Sequence, residues 1–145
     1  LHHRFAGQVE INSIKSGVIQ DRTIYEDVEI FARNLYEMKF MSNRDWETYQ
    51  SLFNNMVQFL KKPDLIIYLR ASTDTILSRI KNRDRNFERN ISPEYLHSLN
   101  ISYDKWINQS TDHNILTIET DDFNIFKDKE KLNHIFTRIE AALSK

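Results

Sequence analysis

The 145-residue sequence contains no cysteine, two glycines (Gly7 and Gly17) and two prolines (Pro63 and Pro93). Without cysteine there can be no disulfide and no thiolate metal site, which fits a reducing, cytoplasmic setting. So little glycine and proline leaves scant room for long flexible linkers. No apolar run approaches the roughly 18 residues of a membrane span, and no signal peptide is visible. The net charge of −1 provides no global basic field of the kind that favours nucleic acid. Neither a membrane nor a nucleic-acid partner is therefore expected. Nor is there a glycine-rich phosphate loop anywhere in the chain. What remains is globular in character: 40% hydrophobic and 28% charged residues, enough for one domain over 1–145 with its own core.

The apolar pattern alternates helices with short β-prone runs. Residues 1 to about 16 read as the tail of a helix, with Phe5, Val9, Ile11 and Ile14 at helical spacing and Gly17 as its stop. Val18-Ile19-Gln20 reads as a short strand. A helix from about Ile24 to Met38 places Ile24, Val28, Phe31, Leu35 and Met38 on one stripe. A second, from about Asn43 to Lys61, is capped by Ser42 and carries Trp46, Tyr49, Leu52/Phe53, Met56/Val57 and Leu60. Pro63 stops it. Leu65-Ile66-Ile67-Tyr68-Leu69 has the continuous composition of a strand buried on both faces. Ser72 caps the next helix, and Ser92-Pro93 opens another. Asn114–Glu119 is a third strand, and a helix from about Lys127 to Leu143 closes the chain. This order predicts an α/β fold with a parallel sheet.

Two charged stretches stand out. Arg79 to Arg89 holds five cations and two carboxylates in eleven residues. Arg79 and Arg83 share a helix face. Guanidinium forks fit phosphate oxygens in pairs, so Arg79, Arg83 and Arg85 suit a lid over a polyphosphate. A solvated basic turn would have the same composition. The second stretch, Asp21-Arg22-Thr23-Ile24-Tyr25-Glu26-Asp27, sits at a strand's carboxyl end, where open α/β sheets bind ligands. Asp21 or Thr23 could equally be there as the cap of the next helix. His2 and His3 have no third ligand near in sequence and read as surface residues.

Together these stretches resemble the deoxyribonucleoside kinases, in particular the bacterial deoxyadenosine/deoxyguanosine kinase group. The resemblance rests on Asp21-Arg22-Thr23, on Tyr25-Glu26-Asp27, and on the lid pattern Arg79…Arg83-Asp84-Arg85…Glu88. It extends through Pro63–Leu69 and through Tyr95, Tyr103 and Trp106. It implies a P-loop kinase-like three-layer α/β/α fold, and a reaction that moves the γ-phosphoryl of ATP, with Mg²⁺, to the 5′-hydroxyl of a deoxynucleoside, a purine one in this group. Arg22, Arg79, Arg83 and Arg85 would position and neutralise phosphates. Glu88 would hold the sugar 3′-hydroxyl, unless it is a surface carboxylate paired with Arg85 or Arg89. Arg4 and Asp27 would pair beside the base, unless Arg4 simply ends a helix. Asp21 would stand on the Mg²⁺ side. Relatives often carry glycine where this chain has Asp84. The family dimerises through a helical bundle, so a homodimer is expected.

The resemblance also implies what is not here. The first strands, the phosphate loop and the catalytic base would lie upstream of Leu1, and the 145 residues alone are expected not to catalyse. The lid, about 79–91, belongs to the C-terminal portion of such a kinase. Arg22 is expected to converge with Arg83 and Arg85 on one pocket. Two other readings fit parts of the sequence: a thymidylate or similar nucleotide kinase, and a helical interaction module with basic turns.

Overall fold

The computed structural model describes residues 1–88 and 91–144. Contacts divide the chain into two units, Leu1–Lys62 and Pro63–Lys145.

The first unit is helical. Helix α1, His2–Ser13, buries only one residue, the polar Gln8, whose Oε1 accepts from the backbone N–H of Ile24 at 3.4 Å. The expected apolar stripe is only partly engaged, since Val9 and Ile14 are exposed. The helix also ends earlier than Gly17. Ile14 is already extended, and Gly17 takes no left-handed conformation. The end is fixed by Asn12 instead. Its amide donates to the Phe59 carbonyl at 3.2 Å and accepts from Lys61 N–H at 3.3 Å.

Residues 18–20 are not a strand. A strand needs a ladder partner, and none of the described residues supplies one; the Ile19 side chain is fully exposed. Among the described residues the expected three strands are therefore two.

Next comes a short α-helix, α2 (Ile24–Glu26), which widens into a π-helical segment, Asp27–Ala32, and returns to α-geometry as α3 (Arg33–Glu37). The i→i+5 turn breaks the 3.6-residue register. Val28, Ile30, Ala32 and Asn34 are buried, while the expected stripe members Leu35 and Met38 are exposed. Helix α4 runs over Asn43–Val57, shorter than its pattern suggested, with the Ser42 hydroxyl accepting from Asp45 N–H. Trp46 packs with Val28 and Ala32, and its ring stacks on Tyr36 at 5.3 Å and Tyr49 at 6.4 Å.

In the second unit, β1 (Ile66–Arg70) and β2 (Ile115–Glu119) pair in parallel, Ile66 opposite Ile115 through Arg70 opposite Glu119. Parallel neighbours need a long crossover. Here it contains helix α5 (Thr73–Arg83), a 3₁₀ turn at Asn86–Glu88, and helix α6 (Pro93–Gln109). Helix α7, Lys129–Leu143, packs against β2. Strand β1 is covered on one face only. Tyr68 stacks on Tyr103 of α6 at 5.8 Å, while Ile67 and Leu69 on the opposite face are exposed, against the expectation of burial on both. Burial, followed by the neighbouring Asp104 carboxylate, pushes the Tyr68 hydroxyl pKa far up. Arg70 clamps α6 to the strand ends, donating through Nε and Nη2 to Asp104 at 3.0 Å each and through Nη1 to Glu119 at 3.3 Å.

Candidate functional site

In the first unit the acid-Arg-Thr stretch forms a turn. Thr23 is the cap of α2: its hydroxyl accepts from Tyr25 N–H, and Glu26 closes the box on Thr23 N–H at 2.8 Å. The capping role thus falls to Thr23, and Asp21 is left exposed at the start of the turn. Arg22 holds a left-handed backbone, φ 62°. Its guanidinium lies over the Phe31 ring, 4.8 Å from the centroid. Arg4 donates through Nη1 to the carbonyls of Asp21 (2.8 Å) and Arg22 (3.3 Å), and its Nε is 4.0 Å from Asp27. Asp27 also meets the Leu1 amino group at 3.0 Å. Arg4, Arg22 and Asp27 are therefore one cluster. Burial, and then the Asp27 charge, pushes the Tyr49 hydroxyl up to about 12.

In the second unit the lid residues divide by role. Arg79 turns back to β2, donating to both the hydroxyl and the carbonyl of Thr120. Arg83 donates through Nε (3.0 Å) and Nη2 (2.7 Å) to one oxygen of Glu88, and Arg85 stands 3.7 Å from the other. The Glu88 side chain is 10% exposed, whereas those of Arg83 and Arg85 are about half exposed, 49% and 54%. One sheltered carboxylate thus holds two guanidinium groups that are each about half exposed. Two half-solvated forks held together can grip an anion, with phosphate the natural fit. Arg89 and Asn90, at the far end of the expected lid, lie outside the described residues.

Asp84 between them is left-handed, φ 45°. It caps α5 through its N–H on the Ile80 carbonyl at 3.2 Å. Glycine takes this conformation without a Cβ clash, and aspartate is among the few residues that tolerate it. The expected glycine of relatives thus has a backbone reason. Asp84→Gly is expected to stabilise the chain by about 0.5–1 kcal/mol, the relief of the clash less the extra freedom of the unfolded chain. Urea unfolding measures this. Destabilisation would mean that contacts of the Asp84 side chain outweigh the backbone gain.

Sequence reasoning missed three participants. Phe31 was assigned to the apolar stripe, and only the π-turn and the fold of residues 21–23 place it under Arg22. Thr120 and Asp121 belonged to a loop with no specific signal. Asp121 accepts from Ser72 N–H (2.8 Å) and Ser72 hydroxyl (3.0 Å), tying the end of β2 to the start of α5. The Thr75 hydroxyl first, then the Ser72 N–H, hold its carboxyl below the ordinary value of 3.8. A depressed folded pKa stabilises fully above the unfolded value, and the gain is lost as pH falls through the folded one. Asp121→Asn should therefore lower the melting temperature at pH 7 but change it little at pH 2. An equal loss at both would show that the carboxylate charge is irrelevant.

Among the described residues no group of three or more histidines or carboxylates is placed to hold a metal, and no helix is long and apolar enough to cross a membrane.

Comparison with known proteins places these clusters in context. The structure is similar to that of a deoxyadenosine kinase from M. mycoides with bound dATP, with TM-score 0.78 and 29% identity, covering 96% of this chain and 72% of that one. A structure of the same enzyme with products dCMP and a flexible dCDP gives TM-score 0.81 and 29% identity, over 97% of this chain and 69% of that one. In sequence, the chain is 33% identical over 145 residues to a deoxyadenosine/deoxycytidine kinase of Bacillus subtilis, covering 99% of this chain and 67% of the relative. It is 43% identical over 107 residues to a deoxyadenosine kinase of Dictyostelium discoideum, covering 74% of this chain and 43% of the relative. The α/β fold is accordingly of the P-loop kinase type. Residues 1–144 match the family model described as deoxynucleoside kinase, so the chain belongs to the deoxynucleoside kinase family.

Proposed function

We propose that the enzyme built on these residues transfers the γ-phosphoryl of ATP to the 5′-hydroxyl of a deoxynucleoside. The observation that carries this is the paired fork of Arg83 and Arg85 on Glu88, in a chain matched to the family along nearly its whole length. Phosphoryl transfer asks a protein chiefly for positioning and charge neutralisation, which guanidinium groups provide. In this reading Arg22, Arg83 and Arg85 serve the phosphates, Arg79, expected among them, instead ties α5 to the end of β2 through Thr120, and Glu88 accepts from the sugar 3′-hydroxyl. Arg4 and Asp27 stand beside the base. Asp21, exposed and single, fits the one-carboxylate share of a hydrated Mg²⁺ whose other ligands are water and phosphate.

Deoxyadenosine is the first acceptor to test, since relatives and structural neighbours are deoxyadenosine kinases. A coupled ATP assay with deoxyadenosine, deoxycytidine and dTMP is the experiment. Phosphorylation of the nucleosides supports the reading; turnover of dTMP alone would make the enzyme a nucleotide kinase. The parallel β1–β2 pair removes the purely helical module. With no glycine-rich phosphate loop among its 145 residues, the chain on its own should show no turnover. We also assign it to a cytoplasmic homodimer. Leu35, Met38 and Leu52 present apolar surface on or beside α3 and α4, and a monomer at micromolar concentration in sedimentation would remove the dimer.

A further inference from the structure

The turn that carries Arg22 needs an explanation of its own. Arg22 has a Cβ, yet its backbone is left-handed. Such positions persist only where surrounding contacts over-determine them. In extended chain, successive carbonyls point to opposite sides. Here the carbonyls of Asp21 and Arg22 point to one donor, Nη1 of Arg4, at 2.8 and 3.3 Å. The left-handed residue between them brings both within reach of that one nitrogen. On the far side, Thr23 is fixed as the cap of α2, so the turn is held at both ends. The Arg22 side chain then leaves the turn toward Phe31.

We propose that Arg4 is a positioning residue for Arg22: its guanidinium gathers the two carbonyls, keeps Arg22 left-handed and so sets where the Arg22 guanidinium lies. Asp27, 4.0 Å from Arg4 Nε, orients Arg4 in turn. The place beside the base does not account for these carbonyl contacts. The functional consequence rests on the reading of Arg22 as a phosphate-positioning group, but the geometry does not. If Arg4 acts through Arg22, its loss slows transfer to every acceptor alike. If it served the base alone, its loss would change the preference between acceptors.

The test begins with arginine side-chain NMR of the 145-residue chain. The Arg22 Nε–Hε signal should be shifted upfield by the Phe31 ring, and Phe31→Leu should abolish the shift and so assign it. Arg4→Met keeps the apolar stem of the side chain but removes both carbonyl contacts. It should move the Arg22 signal to its position in Phe31→Leu while the backbone amide spectrum outside residues 1–31 stays in place. An unmoved Arg22 signal overturns the proposal, as does the absence of any ring-current shift in the unaltered chain. If Arg4→Met disturbs the whole spectrum, Arg4→Gln decides by the same signal, because its amide nitrogen reaches only as far as the Nε position of arginine and falls short of the Nη1 position that meets both carbonyls. The kinetic arm uses an active enzyme carrying these residues. Arg4→Met should lower kcat about tenfold or more for both deoxyadenosine and deoxycytidine, with the ratio of their KM values unchanged. A changed KM ratio with kcat intact also overturns it. An enzyme with no kinase activity would sink the proposed function, while the NMR arm would still decide the role of Arg4.

Discussion

Replacing Arg83 with alanine is expected to lower kcat/KM for phosphoryl transfer by about two to three orders of magnitude in an active enzyme carrying this lid, or roughly 3–4 kcal/mol of transition-state stabilisation. The expectation follows from the lid geometry. Arg79 directs both terminal nitrogens at Thr120, so it ties α5 to the end of β2. Arg83 is different. It is half exposed and held by Glu88 on one edge. Its loss removes a phosphate donor and also takes from Glu88, nearly buried, the closer of the two guanidinium partners it has among the described residues. Arg83→Lys keeps the charge but cannot offer Nε and Nη2 together, so its activity should fall between wild type and Arg83→Ala. Steady-state kinetics at saturating deoxynucleoside, with circular dichroism to verify the fold, is the measurement. A loss smaller than about tenfold would remove Arg83 from the phosphate site and leave the Arg83–Glu88 pair as a surface contact of little energetic weight.

The parts of this molecule that the sequence foretold share a physical character: each was encoded within one or two turns of chain. The Ser42, Ser72 and Ser92 caps sit where hydroxyl, acid and proline spacing placed them. Both strands of the sheet were visible as β-prone runs, because β1 and β2 carry their own partner in the chain. Val18-Ile19-Gln20 has comparable composition and is no strand, because strand formation depends on a neighbour rather than on the segment. The site followed the same division. The contact of Arg85 with Glu88 is local and was legible as one of two readings of that carboxylate, whereas the bonds from Arg83 were not foreseen. The bonding of Arg4 to residues 21 and 22 spans 17 and 18 positions and arises from tertiary packing. The pairing of Arg4 with Asp27 came only from a family resemblance, while the carbonyl contacts had no sequence signal at all. Phe31 was hidden for another reason: a helical pattern assumes 3.6 residues per turn, and the π-segment breaks that assumption where Phe31 sits.

That break gives the second large expected effect. Ile30→Ala should destabilise the first unit by about 2–5 kcal/mol, because Ile30 is fully buried and its removal leaves a cavity among fixed neighbours. Ile24→Ala should cost a similar amount, as Ile24 is also fully buried. Leu35→Ala should cost under about 1 kcal/mol, since Leu35 is 38% exposed and loses little contact. A regular α-helix over 24–38 predicts the reverse order, with Leu35 on the buried stripe and Ile30 off it. The comparison therefore tests the π-segment itself. Against a domain stability of about 5–15 kcal/mol, the Ile30 change is large enough to shift the urea midpoint clearly. Dimer formation is separable in the same experiment. A core loss at Ile30 persists at every protein concentration, whereas any part of a Leu35 effect that arises from an interface between copies grows or shrinks with concentration. A larger loss at Leu35 than at Ile30, independent of concentration, would mean that the helix keeps its regular register and that the route by which Phe31 reaches Arg22 must be drawn again.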